Sequence, residues 1–321
     1  MLRPSLRGLL AHHCETYGFR SLLPHRKEAI DYSLMLQLLA TPPGTRLGSL
    51  SLDWSAPLFL CLGAAFCLAA FTGCRAAEAM APNSDDYCDG PSEKRYRRDN
   101  VSWRINGVIY ADPTTQQLLC MVPERDGCVV IPPPSKSDPF GLFFSSHPIH
   151  LLWDPNDPGN ACDWLLRIEL RYPLHGGARS RHALFFRDEK LTPMTQSTLD
   201  TYLHHLLCLY LTEEDARKRS FHSFRIGLAC CLRASGCPDS IIQALCRWRS
   251  PESIPIYGRL NAEARSSYLK AAFKTRATSV SSANLPTLDI DDALAAFAGA
   301  AREPAGLGAL DDDEELDAAL L

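Results

Sequence analysis

From Ala56 to Phe71 the chain reads APLFLCLGAAFCLAAF, sixteen residues with no charged, amide or hydroxyl side chain. A helix built from such a run has no polar stripe to turn toward water, so neighbours must enclose it on every side. It is short of the ~20 residues that cross a bilayer. Pro57 and Gly63 interrupt it, and it passes straight into Thr72-Gly73-Cys74-Arg75. The run therefore predicts a fully buried core helix, and the rest of the chain has to be arranged around it. At 321 residues there is enough chain to do so, in one large or two modest domains.

The pattern on either side is mostly helical, with a small sheet. A short lead-in occupies 1–24, and a helix is expected over about 27–39, ended by Thr41-Pro42-Pro43-Gly44. After the apolar helix a further turn runs through Glu78, and 83–98 reads as a loop. Val101–Ile105 and Val108–Tyr110 flank Asn106-Gly107, a strong hairpin signal. Cys128–Ile131 reads as a strand, with Pro148–Trp153 as its sheet neighbour. Helices are expected over 163–171, from an opening in Leu191–Thr195 to about Leu209, on both sides of Ser235-Gly236-Cys237-Pro238, and over 262–275. Ala183–Phe186 is a short apolar piece, and no core is visible beyond Ser279. The class is α+β: mostly helical, with a small antiparallel sheet.

Net charge misleads here. The chain sums to −4, but residues 286–321 hold ten acidic side chains and one basic, Arg302, leaving +5 for residues 1–285. A mildly basic body with an acidic tail is compatible with a polyanionic partner. The thirteen cysteines are an odd number with no CxxC pair, so reduced thiols are expected rather than disulfides or zinc. With no signal peptide in the first residues and no membrane span, a soluble protein that is not secreted is expected.

Chemistry gathers late in the chain. His222 and Arg225 stand at i and i+3 in Phe221-His222-Ser223-Phe224-Arg225, and so share one helix face. Trp248 and Tyr257 follow in RWRSPESIPIY. Arg75 and Glu78 lie in TGCRAAE, directly after the apolar helix, and Lys136 lies in CVVIPPPSKSDPFG. Each piece alone is common: a surface His and Arg, a packing Trp or Tyr, a solvated Lys. In this order they resemble the catalytic motif of the tyrosine recombinases, phage-integrase-like enzymes that break and rejoin DNA. The resemblance covers roughly 26–275, and it is strongest over 219–260.

That resemblance implies a role for each residue. Arg75 and Arg225 would hold the non-bridging oxygens of the scissile phosphate, because the planar guanidinium fork matches two oxygens at once. Glu78 would orient Arg75. His222 would hydrogen-bond the phosphate and assist as a base. The Trp248 indole N–H would donate to a phosphate oxygen, Lys136 would protonate the departing 5′ oxygen, and Tyr257 would be the nucleophile. No metal and no cofactor are implied, and no P-loop or two-metal carboxylate cluster is seen. The implied partner is double-stranded DNA, bound by a homo-oligomer, a tetramer on its substrate. The Ser-Phe-Arg-Ile-Gly core is most similar to recombinases of eukaryotic mobile elements, which implies a nuclear setting; otherwise the setting would be cytoplasmic.

Three alternatives keep the same residues in view: a type IB topoisomerase-like enzyme, a recombinase-derived DNA-binding protein without activity, and a helical interaction protein with a recruiting acidic tail. The expected organisation is a lead-in over 1–25 too short for the family's N-terminal DNA-binding domain, a catalytic domain over 26–275, and an Ala-rich acidic tail over 276–321. That tail is expected to be largely disordered and solvated, with a docking helix over 289–298 as the alternative.

Overall fold

The computed structural model describes residues 27–83, 94–135, 138, 140–142, 148–247 and 262–275. The lead-in over 1–25 and the tail over 276–321, with its 289–298 helix, lie outside the described residues. Residues 28–280 belong to one compact unit. It is a mixture of helices and small antiparallel sheets, hence α+β.

The chain opens with α1 (Tyr32–Leu39), capped by the Asp31 carboxylate, which accepts the Leu34 amide at 2.8 Å. The expected start near Lys27 is too early. Glu28 and Ile30 instead donate their amides to the carbonyls of Lys218 and Ser223, at 2.8 and 2.9 Å. A distant segment thus claims backbone that local propensity would have wound into helix. A short hairpin, β1 (Arg46–Leu47) and β2 (Leu50–Ser51), follows.

The apolar run forms α2 (Pro57–Thr72), with Pro57 in the first turn, and every residue from Phe59 through Thr72 is buried. Enclosure comes from several elements. Gly63 lies against Trp164 of α5 (Ala161–Arg171) so closely that a β-carbon would stand 2.5 Å from the indole. Phe66 stacks on Phe224, with centroids 5.1 Å apart. Each fully buried Leu or Phe here contributes ~1.5–3 kcal/mol. Among the described residues no helix is long and apolar enough to cross a membrane. Gly73 ends α2 in the left-handed region (φ 60°), its amide returning to the Ala69 carbonyl at 2.8 Å, and α3 (Ala76–Ala79) follows.

The main sheet has four antiparallel strands in the order β4-β3-β5-β6: β3 (Val101–Ile105), β4 (Val108–Tyr110), β5 (Gly127–Val130) and β6 (Ile149–Leu152). Asn106 (φ 51°) and Gly107 (φ 79°) make the hairpin turn that pairs Ile105 with Val108. A helix α4 (Thr115–Leu119) crosses between β4 and β5. Buried Asp126 fixes this end of the sheet by accepting the Asn106 and Val122 amides at 3.0 and 2.9 Å.

Beyond α5 come α6 (Gly177–Arg181), α7 (Gln196–Leu207), α8 (Glu213–Arg217), α9 (His222–Ala234), α10 (Asp239–Cys246) and α11 (Ala262–Phe273). Ala183–Phe186 is buried but makes only isolated bridges, Arg97 with Ala183 and Phe186 with Pro193. Helix α7 starts one residue after Thr195, whose hydroxyl accepts the Thr198 amide. Gly227 of α9 lies against the segment before α1: a β-carbon there would stand 2.0 Å from the Ile30 carbonyl oxygen. Helix α11 returns to the core, where Phe273 stacks on Tyr32 with centroids 3.8 Å apart.

Two guanidiniums are buried beside the sheet. Arg98 and Arg179 share the Glu169 carboxylate, and Arg179 also donates to the Arg98 and Val101 carbonyls at 3.1 and 3.0 Å. All eleven described cysteines are free thiols. Most are buried and act as small apolar side chains; burial pushes the Cys61 thiol up to about 12.

Candidate functional site

The end of α2 builds the site. Thr72 returns its hydroxyl to the Leu68 carbonyl at 2.7 Å, and Gly73 turns left-handed, which any residue with a β-carbon resists. The turn leaves the Gly73 carbonyl facing α9 and carries Arg75, extended, onto the start of α3. Glu78 then reaches back, its carboxylate accepting the Arg75 amide at 3.1 Å.

On α9, Phe221 and Phe224 are buried and pack edge-to-face, which anchors the first turn in the core. The Ser223 hydroxyl accepts the Ser220 amide at 3.1 Å and closes that turn. With Phe224 held against Phe66, Arg225 is directed at the end of α2, where its Nη1 donates to the Gly73 carbonyl at 2.9 Å. Only 2 % of Arg225 is exposed. His222 opens the same helix and is half-buried.

A third guanidinium enters from α10. Arg247, the C-cap, adopts φ 55° and donates from Nη2 to Glu78 Oε2 at 2.5 Å. Arg75 Nη1 stands 3.6 Å from Glu78 Oε1. Among these four side chains three cations surround one anion. Burial alone would raise the Glu78 carboxyl, but the charges of Arg247, Arg75 and Arg225 outweigh it and hold the group below its ordinary 4.5. Burial, and then Glu78, push the neighbouring Cys74 thiol up to about 12. Arg75 is the outward member, its side chain 22 % exposed.

Of the residues singled out in the sequence, Arg75, Glu78 and Arg225 converge here, with His222 one turn before Arg225. Lys136, Trp248 and Tyr257 lie outside the described residues. Their surroundings are partly in view. Ser135 and Asp138 exchange backbone hydrogen bonds at 3.0 Å within the connection between adjacent strands β5 and β6. Arg247 immediately precedes Trp248, and α11 takes up the chain at Ala262. The sequence reading missed Arg247. Its only local signal is its place in Arg247-Trp248-Arg249, a cation beside an implied phosphate donor.

No family model matches the chain, and neither does any curated protein or solved structure.

Proposed function

We propose that the chain is a DNA strand-transferase of the tyrosine-recombinase type, which cleaves and rejoins DNA without metal or ATP. One observation carries this reading: the Gly73 turn and Arg225, 152 positions apart, are joined by a hydrogen bond, so the Arg75 segment and the His222–Arg225 face meet at one point. The shared carboxylate of Glu78 adds a second tie between α3 and the approach to Trp248.

The chemistry follows from the residue types. The Tyr257 phenol oxygen attacks the scissile phosphorus, forming a 3′-phosphotyrosyl bond as the bond to the 5′ oxygen breaks. Lys136 supplies the proton that the departing oxygen takes up, and His222 assists removal of the phenol proton. Arg75, Arg225 and the Trp248 indole N–H stabilise charge on the equatorial oxygens, the task metal ions perform in other phosphoryl transfers. A 5′-hydroxyl from a second strand then reverses the step. Glu78 keeps the guanidiniums apart and oriented. On this reading the partner is double-stranded DNA bound by a tetramer of the chain, in the nucleus if the source is eukaryotic.

The test uses a nicked half-site duplex from which the 5′ product diffuses away. A protein–DNA adduct stable to detergent and destroyed by protease is expected, and Tyr257→Phe should abolish it while sparing non-covalent binding. An adduct that survives Tyr257→Phe would sink the proposal. The depth of Arg225 favours a second reading, a recombinase-derived DNA-binding protein that no longer cleaves. It predicts salt-sensitive binding and no adduct from the unsubstituted chain.

A further inference from the structure

We propose that His204, Cys208 and Glu213 form a binding site for one zinc-class divalent ion, which pins the end of α7 to the start of α8. This inference is independent of the strand-transfer reading and shares no residue with the Arg75–Arg225 cluster. It also departs from the expectation, based on the lack of CxxC pairs, that no thiol here serves zinc.

Three donor atoms are already gathered. His204 sits in the last turn of α7 and Cys208 is its C-cap, four positions on, so both side chains leave one face of the helix. Thr212 caps α8 by accepting the Asp215 amide at 3.2 Å, which makes Glu213 the first helical residue. His204 Nε2 lies 3.3 Å from Glu213 Oε1, and Cys208 Sγ lies 3.5 Å from His204 Nε2 and 3.1 Å from Glu213 Oε2. Around a tetrahedral zinc with bonds of ~2.0–2.3 Å, neighbouring ligand atoms stand ~3.4–3.6 Å apart. His204 Nε2 and Cys208 Sγ thus stand about one such edge apart, Glu213 presents a different carboxylate oxygen to each, and all the donor atoms lie within 4.8 Å of one another.

Donor type narrows the ion. One imidazole, one thiolate and one carboxylate suit zinc or its borderline-soft relatives, whereas magnesium and calcium take oxygen ligands. Arg217, one turn along α8, donates to Glu213 Oε1 at 3.0 Å and orients the carboxylate from outside the ligand set. The cluster is half-buried to exposed, which leaves the fourth position to water. Binding forms the metal–sulfur bond as the thiol proton passes to solvent, with no change of oxidation state. The competing account is a hydrogen-bonded helix junction in which the thiol donates to Glu213; it predicts no uptake of metal.

The experiment titrates the full, reduced chain with Co²⁺ and then Zn²⁺. One Co²⁺ per chain is expected, with the charge-transfer band of a thiolate ligand, and stoichiometric displacement by Zn²⁺. Cys208→Ser should remove the band, and His204→Ala should weaken Zn²⁺ binding by at least about tenfold to a hundredfold. Cys120→Ser, at an exposed thiol elsewhere, should change neither. Should a variant fail to fold, the unsubstituted chain gives its own answer: Zn²⁺ must slow alkylation of Cys208, read by peptide mass. Uptake below one ion per chain, a band that persists in Cys208→Ser, or a Cys208 alkylated equally fast with Zn²⁺ would each overturn the site.

Discussion

Two clusters in this protein bury arginine on a glutamate, and they are built differently. Beside the sheet, Arg98 and Arg179 are 1 % and 2 % exposed, share Glu169, and donate to the carbonyls of Tyr172, Leu174, Arg98 and Val101. Every direction is closed by protein. At the end of α2, Arg225 and Arg247 are as deeply buried, but the cluster continues outward to Arg75. The first arrangement knits β3, α5 and α6 together. The second has the same ingredients, but its outermost cation, Arg75, keeps 22 % of its side chain exposed. Burial of an ion pair by itself therefore says little about function.

The largest expected effect lies in the closed cluster. Glu169→Gln removes the carboxylate that both guanidiniums share and should cost about 3–5 kcal/mol, read as a lower urea midpoint. If the open cluster were equally structural, Arg75→Ala would cost as much. The expectation is instead under about 1 kcal/mol of stability, as for other partly exposed pairs, with a loss of about 10²–10³-fold in the rate of adduct formation. Equal damage to stability from both substitutions would erase the distinction.

A smaller effect is expected at the hinge of the open cluster. Gly73→Ala forces a β-carbon into the left-handed region at about 1–2 kcal/mol. The new methyl meets Arg225 Cγ at only 3.5 Å, an ordinary contact, so the penalty is one of backbone and not of space. The finest effect concerns acid. Because Glu78 ionises below its ordinary value in the folded chain, its contribution is fully present above about pH 4.5 and is lost as pH falls below that. Glu78→Gln should flatten that acid limb, and an unchanged limb would assign the loss to other carboxylates.

Elements with a strong local code were legible in the sequence. The unbroken apolar run announced α2, Asn106-Gly107 announced its hairpin, and the Ser235–Pro238 break separated α9 from α10. The start of α1 was misjudged because its boundary is set from far away, by Lys218 and Ser223. The short helices α4 and α8 escaped notice: five residues carry too little periodicity, and they stand on single caps, Thr114 and Thr212. At the site, Arg75, Glu78 and Arg225 were legible through an ordered motif. Arg247 was not, because its role comes from a left-handed C-cap that no pattern in α10 signals. The closed cluster was invisible, since Arg98, Glu169 and Arg179 have only folding in common.

Glycine at position 227 has a mechanical corollary. It lets residues 28–30 lie directly on α9, where Arg219 also reaches Ala29 and Glu28. Tension applied to the chain just ahead of Glu28 would therefore be delivered first to the opening turn of the helix bearing His222 and Arg225, and to the sheet only afterwards. Anything that grips residues 28–30 holds a lever on the helix that carries Arg225.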